Sequence, residues 1–555
     1  MSVVVAADAV DFQALEFEYQ TSPDQRAATP VLHPVVIVGA GPVGLTLAID
    51  MAQRGVEVLL LDNDHKLSSG SRAICFAKRT LEIFDRLGTG ERMVRKGVSW
   101  NVGHVYFKDA PVYSFNLLPD AEAGCAPTQE RPAFINLQQY HVEGFLVERA
   151  RELPNIEIRW RHSVVGIEQH SDCVALKLDT PDGPYTLHAG HLAACDGSRS
   201  ALRSLMGLET KGRVFHDRFL IVDIRMDADL PEERRFWFDP PFHPGQSVLL
   251  HKQADGMWRI DFQLGWDADP ELERQPGRIT PRVRALLDSI GAGACSFSIV
   301  WASVYTFACQ RMQRFRHGRV IFAGDAAHGV SPFGARGANS GVQDADNLGW
   351  KLALATQGLA PDALLDSYAS EREFAADENI LNSTRATDFI TPKSEVSRLF
   401  RDAVLALSRE HAFARRIVNS GRLSVPTTLL GSVLNTPDGD VFAGAMVPGA
   451  AALDAPVLRG RHASWLLREL GPDFTLLVFG DPPMWADALA LKVVIVGDAG
   501  LKDCGLSDVS GCAALRYDAQ PGTAYLIRPD QHICARWRAP TEARVRAALS
   551  RAIAC

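Results

Sequence analysis

"VVIVGAGPVGLTLAIDMAQRGVEVLLLD", residues 35–62, decides the fold. An apolar β-branched run leads into Gly39-Ala40-Gly41-Pro42-Val43-Gly44, a helical pattern closes at Gly55, and a second apolar run ends on Asp62. This order of strand, glycine turn, helix and strand predicts a β-α-β unit. The glycines permit a tight turn and let a pyrophosphate approach the helix N-terminus, where free N–H groups and the dipole favour anions. Asp62 follows about 20 residues later, where a carboxylate accepts hydrogen bonds from a ribose. A bare G-x-G-x-x-G also fits an ordinary β-α turn; the second strand and its terminal acid turn the reading towards dinucleotide binding.

The chain has 555 residues, 46% hydrophobic and 22% charged, enough to bury several cores. Its net charge of −8 offers no basic footprint for nucleic acid. Ten cysteines occur without a C-x-x-C pair, which predicts reduced thiols, no metal site and a cytoplasmic protein. No apolar run reaches the roughly 18 residues of a membrane span, and VVVAA at residues 3–7 has no positive flank or cleavage site beside it, so neither export nor a membrane span is expected.

Four boundaries divide the chain. Residues 1–33 read as an arm lying over the body or partly disordered, and structure is expected to begin at Pro34. Residues 34–211 form the first part of the nucleotide-binding domain, and 212–305, rich in alternating strands, form a sheet that walls a pocket. Residues 306–435 return to the nucleotide-binding domain and add helices, and 436–555 form a small α/β domain.

Two further motifs follow apolar strands. "LAACDGSRSALR", residues 192–203, carries Asp196-Gly197, which alone is usually a turn. "AGDAAHGVSPFGARGANSG", residues 323–341, follows Val320-Ile321-Phe322 and consists largely of small residues, as backbone lying against a ligand requires. Ser340-x-x-Gln343 reads as a capping box, and Val342, Ala345, Leu348 and Leu352 give the next helix an apolar face until Gly358. Standing alone, this stretch would be a capped core helix after a glycine-rich loop.

Taken in order, the three motifs resemble those of FAD-dependent aromatic hydroxylases, the group A flavoprotein monooxygenases. The similarity is to the 3-(3-hydroxyphenyl)propionate and phenol hydroxylase-like subgroup, and it extends over most of the chain. The resemblance implies an α/β fold with a Rossmann-like FAD-binding domain, an inserted mixed β-sheet substrate domain, a helical region and a C-terminal thioredoxin-like domain. Without C-x-x-C, that last domain is expected to serve packing or assembly. FAD is the implied cofactor, with NAD(P)H as a transient reductant, and a homodimer is the assembly considered. Carried over residue by residue, the cofactor contacts are Gly39, Gly41, Pro42, Gly44, Asp62, Arg72, Gln139, Asp196, Gly324, Asp325, Pro332, Gly337, Ala338 and Asn339. Gln138 competes with Gln139 for the register. Asp325 would accept a ribityl hydroxyl, and the helix after the loop would aim its N-terminus at the flavin pyrimidine edge.

The implied reaction is hydroxylation of a phenolic compound with NAD(P)H and O₂ through a flavin C4a-hydroperoxide, as in aromatic compound catabolism. The flavin carries the hard chemistry, and the protein excludes water and positions the ring. Where the family loop reads Pro-x-x-Gly-Gln-Gly-x-Asn, this chain places Arg336 at the glutamine. Arg336 either supports an anion beside the flavin or points outward to a carboxylate. The acid that phenol hydroxylases use to take the phenolic proton falls near Ile74, so no base is assigned. Pocket candidates are Trp237, His251, Arg259, Tyr305, Phe333 and Arg336, each of which also suits core packing; His328 reads as a structural hydrogen-bonding group. Two other functions remain open: Baeyer–Villiger or epoxidation chemistry on a polyketide-like substrate, and a non-catalytic FAD-bound interaction protein. A halogenase is disfavoured by the lack of Gly-Trp-x-Trp-x-Ile-Pro.

Overall fold

In the computed structural model the described residues are 15–68, 70, 73–117, 129–418, 423–486, 489, 491–497 and 505–555. Arg72 lies outside them.

Val35–Val38 form the end of a strand, Leu32–Val38, that pairs in parallel with Val58–Asp62 on one side and Tyr185–Ala194 on the other. Val320–Phe322 and Ile156–Trp160 extend the parallel row outward. Both faces of these strands are covered, which is why they read as continuous apolar runs rather than alternating ones. Parallel strands present their carboxyl ends on one edge. Gly39, Asp62, Asp196 and Gly324 therefore all emerge on the same rim, the place where open α/β sheets take ligands.

Order begins earlier than Pro34. Leu32 and His33 already pair with His188 and Ala189, since a proline without an N–H is tolerated where the preceding residues carry the ladder. The described part of the arm lies across the body: Phe17 stacks on Trp160 with centroids 4.1 Å apart, and Asp24 pairs with Arg159 at 2.7 Å.

The second sheet has eight strands in the order His328–Gly329, Phe297–Met312, Thr210–Met226, Met257–Leu264, Ser247–Lys252, Arg234–Phe238, Val102–Phe107 and Ala110–Asn116. It is wider than residues 212–305, because a hairpin from 102–116 joins one edge and the long strand runs on to Met312. Helix Pro276–Ser289 packs its Ile279, Val283, Leu286 and Leu287 on one face of this sheet, against Val222, Trp237, Val248, Leu250, Trp258 and Ile260. The opposite face looks towards the rim of the first sheet.

Helices Gly337–Thr356 and Leu364–Ile390 follow, the first packed on helix Pro42–Gln53. The C-terminal region is a mixed seven-stranded sheet in which Thr475–Phe479 runs parallel to Lys492–Gly497 and antiparallel to Ala524–Ile527. It is joined to the body through Trp350, Leu364 and Leu434, and through a buried ionic group: Lys351 and Arg528 both reach Glu371 at 2.7 Å, and Arg528 reaches Asp530 at 2.5 Å. Arg528 and Lys351 override the burial that would otherwise raise the Glu371 carboxyl and hold it well below the usual range. Among the described residues the cysteines are free thiols, no helix is long and apolar enough to cross a membrane, and no His, Cys, Asp and Glu cluster could hold a metal.

Candidate active site

The glycine turn is shaped by contacts rather than by flexibility alone. Gly39 has φ +105°, and a Cβ there would meet the Cys195 carbonyl oxygen at 2.4 Å; a Cβ on Gly44 would lie 1.9 Å from the Gly39 carbonyl oxygen. These two glycines lock the turn against the neighbouring strand. Gly41 faces open space, with Pro42 as the first residue of the helix, so the helix N-terminus looks into a cavity of about 880 Å³. Asp62 accepts the N–H groups of Ala40 at 2.6 Å and Asp64 at 2.8 Å, which aligns its carboxylate with the rim; burial nonetheless pushes its pKa up.

Asp196 lines the same cavity. Its Oδ2 accepts the Leu202 N–H at 3.0 Å, its Oδ1 is buried with no partner among the described residues, and burial raises its pKa. Asp325, exposed to the cavity, lies on the short turn Gly324–Ala326. The Gly324 N–H is held at 2.9 Å by Asp344, a fully buried carboxylate that also takes His328 and Arg372, each at 2.6 Å. Burial would raise the pKa of Asp344, but His328 and Arg372 hold it below the ordinary range. His328 is thus a structural histidine, stacked on Phe315 at 5.6 Å, as read from the sequence. Asp344 was not singled out in the sequence, where it is one more polar residue in a helix.

Pro332, Phe333, Arg336, Gly337, Ala338 and Asn339 line the cavity. The helix starts at Gly337, not at Asn339 or Ser340, and the capping box does not form. Ser340 is already inside the helix, where its Oγ accepts from Arg372 at 3.3 Å and Asn379 at 3.2 Å, while Gln343 donates to the Asn339 carbonyl. The Asn339 side chain is spoken for by protein: it accepts from Ala77 N and Thr80 Oγ1 and donates to the Cys75 and Ala335 carbonyls. It pins segment 75–80 to the loop. Arg336 is buried, and its Nη1 donates to the Asn379 amide oxygen at 2.8 Å, so the outward reading of this residue is corrected.

Gln139 opens helix Gln139–Arg151 and faces the cavity beside Ser68 and Glu143, whereas Gln138 is buried and donates to the Ala254 carbonyl.

Strand alternation sorts the pocket candidates. His251 stands opposite Arg259, and Leu249 opposite Asp261, so these four share a face. Phe219, Ile221 and Tyr305 join that face through the adjoining ladders, and all of them line the cavity. Trp237 pairs with Val248 on the other face, where it stacks on Tyr106 under helix Pro276–Ser289; it is core, not pocket. Arg259 is bound by Asp223 at 2.7 and 2.8 Å. Phe333 packs edge-on against Phe219, 4.9 Å between centroids, and closes the cavity with Phe307. Ile74 also lines it, so no acid stands there. Arg234, Asp261 and Glu143 are lining residues that the sequence reading missed; the i, i+2 spacing of Arg234, Phe236 and Phe238 was the available signal for the first.

A second chamber of about 650 Å³ adjoins, lined by Phe115, Phe134, Phe236, Phe238, Phe389 and Met446 among others; Arg234 and Phe333 line both spaces. The residues present fit a dinucleotide. A helix N-terminus opens on the first cavity past a glycine with no neighbour, and an orphaned carboxylate oxygen on Asp196 lies ready for a hydroxyl donor.

Residues 33–383 match the FAD binding domain family, and the chain belongs to it. It is a flavin-dependent monooxygenase with FAD as its cofactor. It is 31% identical over 526 residues to a 3-(3-hydroxy-phenyl)propionate/3-hydroxycinnamic acid hydroxylase of Mycolicibacterium smegmatis, covering 90% of this chain and 89% of that one. A probable NADH-specific resorcinol 4-hydroxylase of Rhodococcus jostii is 29% identical over 509 residues, 90% of this chain and 91% of that one. In fold it resembles the flavin-dependent monooxygenase PieE, solved with FAD and substrate: TM-score 0.80 at 24% identity, covering 95% of this chain and 100% of that one.

Proposed function

We propose that the protein hydroxylates a phenolic aromatic compound, consuming NAD(P)H and O₂. The observation that carries this reading is the cavity itself. It runs from the rim where Gly41, Asp62, Asp196 and Asp325 gather to the face bearing His251, Arg259, Asp261 and Tyr305, so one continuous space joins a dinucleotide cradle to an aromatic and polar pocket.

Bound FAD supplies the redox and oxygen-activating chemistry. Its phosphates belong at the N-terminus of helix Pro42–Gln53, its ribose at Asp62 and its ribityl chain at Asp325. Gly337 to Asn339, the first turn of helix Gly337–Thr356, present a positive dipole end to the cavity, worth roughly 0.3 to 2 kcal/mol towards negative charge on a reduced ring. Phe219, Phe307 and Phe333 form an aromatic wall that keeps water from the reacting atoms. Free thiols throughout the described chain suit a reducing compartment, and we place the enzyme in the cytoplasm.

The test is a screen of phenols and hydroxylated aromatic acids, following NADH and NADPH oxidation and weighing the products. A phenol that accelerates oxidation and gains one oxygen is the expected result. If the oxidised product is instead a lactone or an epoxide, the same cavity serves the ring-insertion or epoxidation chemistry that remained open from the sequence.

A further inference from the structure

Two guanidinium groups reach the pocket from the second sheet, and their surroundings differ. Arg259 is held in a two-point pair by Asp223, so its charge is matched inside the protein. Arg234 lines both chambers, and no carboxylate pairs with it among the described residues. Its Nη1 is buried without a hydrogen-bond acceptor, and its guanidinium carbon lies 5.7 Å from the Trp100 ring centre. A buried donor without an acceptor is unfavourable, more so when charged, and an anionic acceptor arriving with a ligand relieves it.

The neighbourhood reports the same field. His251 is pushed down to about 4, first by burial and then by Arg234, while Asp261, 3.6 Å from its Nε2, opposes the shift. Burial disfavours charge of either sign there, but the Arg234 share of the shift is a positive potential, and that share favours a phenolate or carboxylate oxygen beside the guanidinium. Across the apolar chamber the cations are already matched: Glu82 stands 4.0 Å from Lys78 and 3.4 Å from Arg79. Arg234 is therefore the guanidinium at the waist whose counter-charge is left to a ligand.

We propose that Arg234 is the specificity-determining anion site of this enzyme, and that its substrate is an aromatic compound whose ionised oxygen binds Arg234 while its apolar remainder fills the chamber of Phe115, Phe134, Phe236 and Phe238. This rests on the hydroxylase reading above. The ionised oxygen is a ring phenolate, whose proton passes to the buffer on binding, or a side-chain carboxylate.

Calorimetric titration of the holoenzyme with two probe pairs separates these: 3-(3-hydroxyphenyl)propionate against its methyl ester for the carboxylate, and resorcinol against 1,3-dimethoxybenzene for the phenolate. A near-ultraviolet difference spectrum shows directly whether bound resorcinol is ionised. Wild-type protein is expected to prefer the ionisable member of at least one pair. R234Q should weaken that member about 30-fold or more and its neutral partner less than about threefold, as for a buried charge pair losing one side, with R234K recovering part of the loss. Equal weakening of both members, or no weakening, overturns the proposal, as does wild-type protein that prefers neither ionisable probe. If R234Q fails to fold, R234K and the wild-type probe pairs decide. Because calorimetry reads binding without turnover, Arg234-dependent binding with no oxygenated product would break the hydroxylase reading alone. Oxygenation that is indifferent to Arg234 would break the anion site alone.

Discussion

Two polar groups flank the cavity, and they are built in opposite ways. Around Asp344 both carboxylate oxygens are matched to donors: Gly324 N–H, His328 and Arg372 converge on one fully buried carboxylate, and His328 Nδ1 is the atom of this group left over among the described residues. Around Arg234, His251 and Asp261 the matching is incomplete, with Arg234 Nη1, His251 Nδ1 and Asp261 Oδ1 all buried and lacking protein partners among the described residues. A satisfied network rigidifies a scaffold, whereas an unsatisfied one inside a cavity awaits a ligand. The first group holds the turn that carries Asp325; the second faces the reacting space.

The sharpest way to break this comparison is to remove the scaffold's centre. Asp344→Ala leaves Arg372, His328 and the Gly324 N–H without their acceptor, and should destabilise by about 3–5 kcal/mol and lower FAD content, read by denaturant unfolding and flavin absorbance. Trp237→Ala tests the face assignment: it should lose about 3–4 kcal/mol as a core truncation while the folded fraction keeps its affinity for phenolic ligands. An affinity loss without a stability loss would move Trp237 back into the pocket.

His251 supplies a pH test. Its pKa in the fold, about 4, lies below its ordinary 6.5, so the unfolded chain binds the extra proton first as pH falls. Stability carried by the neutral imidazole is full above pH 6.5 and is lost on acidification towards pH 4, by ~3 kcal/mol in all. His251→Asn should flatten that part of the stability curve between the two values; an unchanged acid profile would show that the imidazole is not held neutral. The smallest effect belongs to Arg336→Gln. Removing a buried cation beside the flavin loop should lower the two-electron potential of bound FAD by roughly 30 mV, about 1.4 kcal/mol, measured by dye equilibration. No shift would make Arg336 a purely structural partner of Asn379.

Much of the rim of the first cavity was legible in the chain. Gly39 to Gly44, Asp62, Asp196-Gly197 and Gly324-Asp325 each sit within a few residues of the strand that delivers them, so local pattern and turn chemistry suffice. The loop helix was legible as an element but not in its start. Ser340 and Gln343 have capping-box spacing, yet Arg372 and Asn379 on helix Leu364–Ile390 claim the serine once that helix packs alongside. Arg336 was undecidable for a similar reason: its acceptor, Asn379, comes from the same distant helix.

The sequence by itself determined a parallel nucleotide-binding unit, its glycine turn and the carboxylates at the strand ends, because strand, turn and helix there are short-range consequences of adjacent residues. Alternation along "RRFWF" and "MWRIDFQL" likewise separates Arg234 from Trp237, and Arg259 and Asp261 from Trp258 and Ile260. Which set faces the cavity was decided only by tertiary structure. Helix Pro276–Ser289 covers one side of the second sheet, and the side it leaves uncovered becomes the wall of the active site.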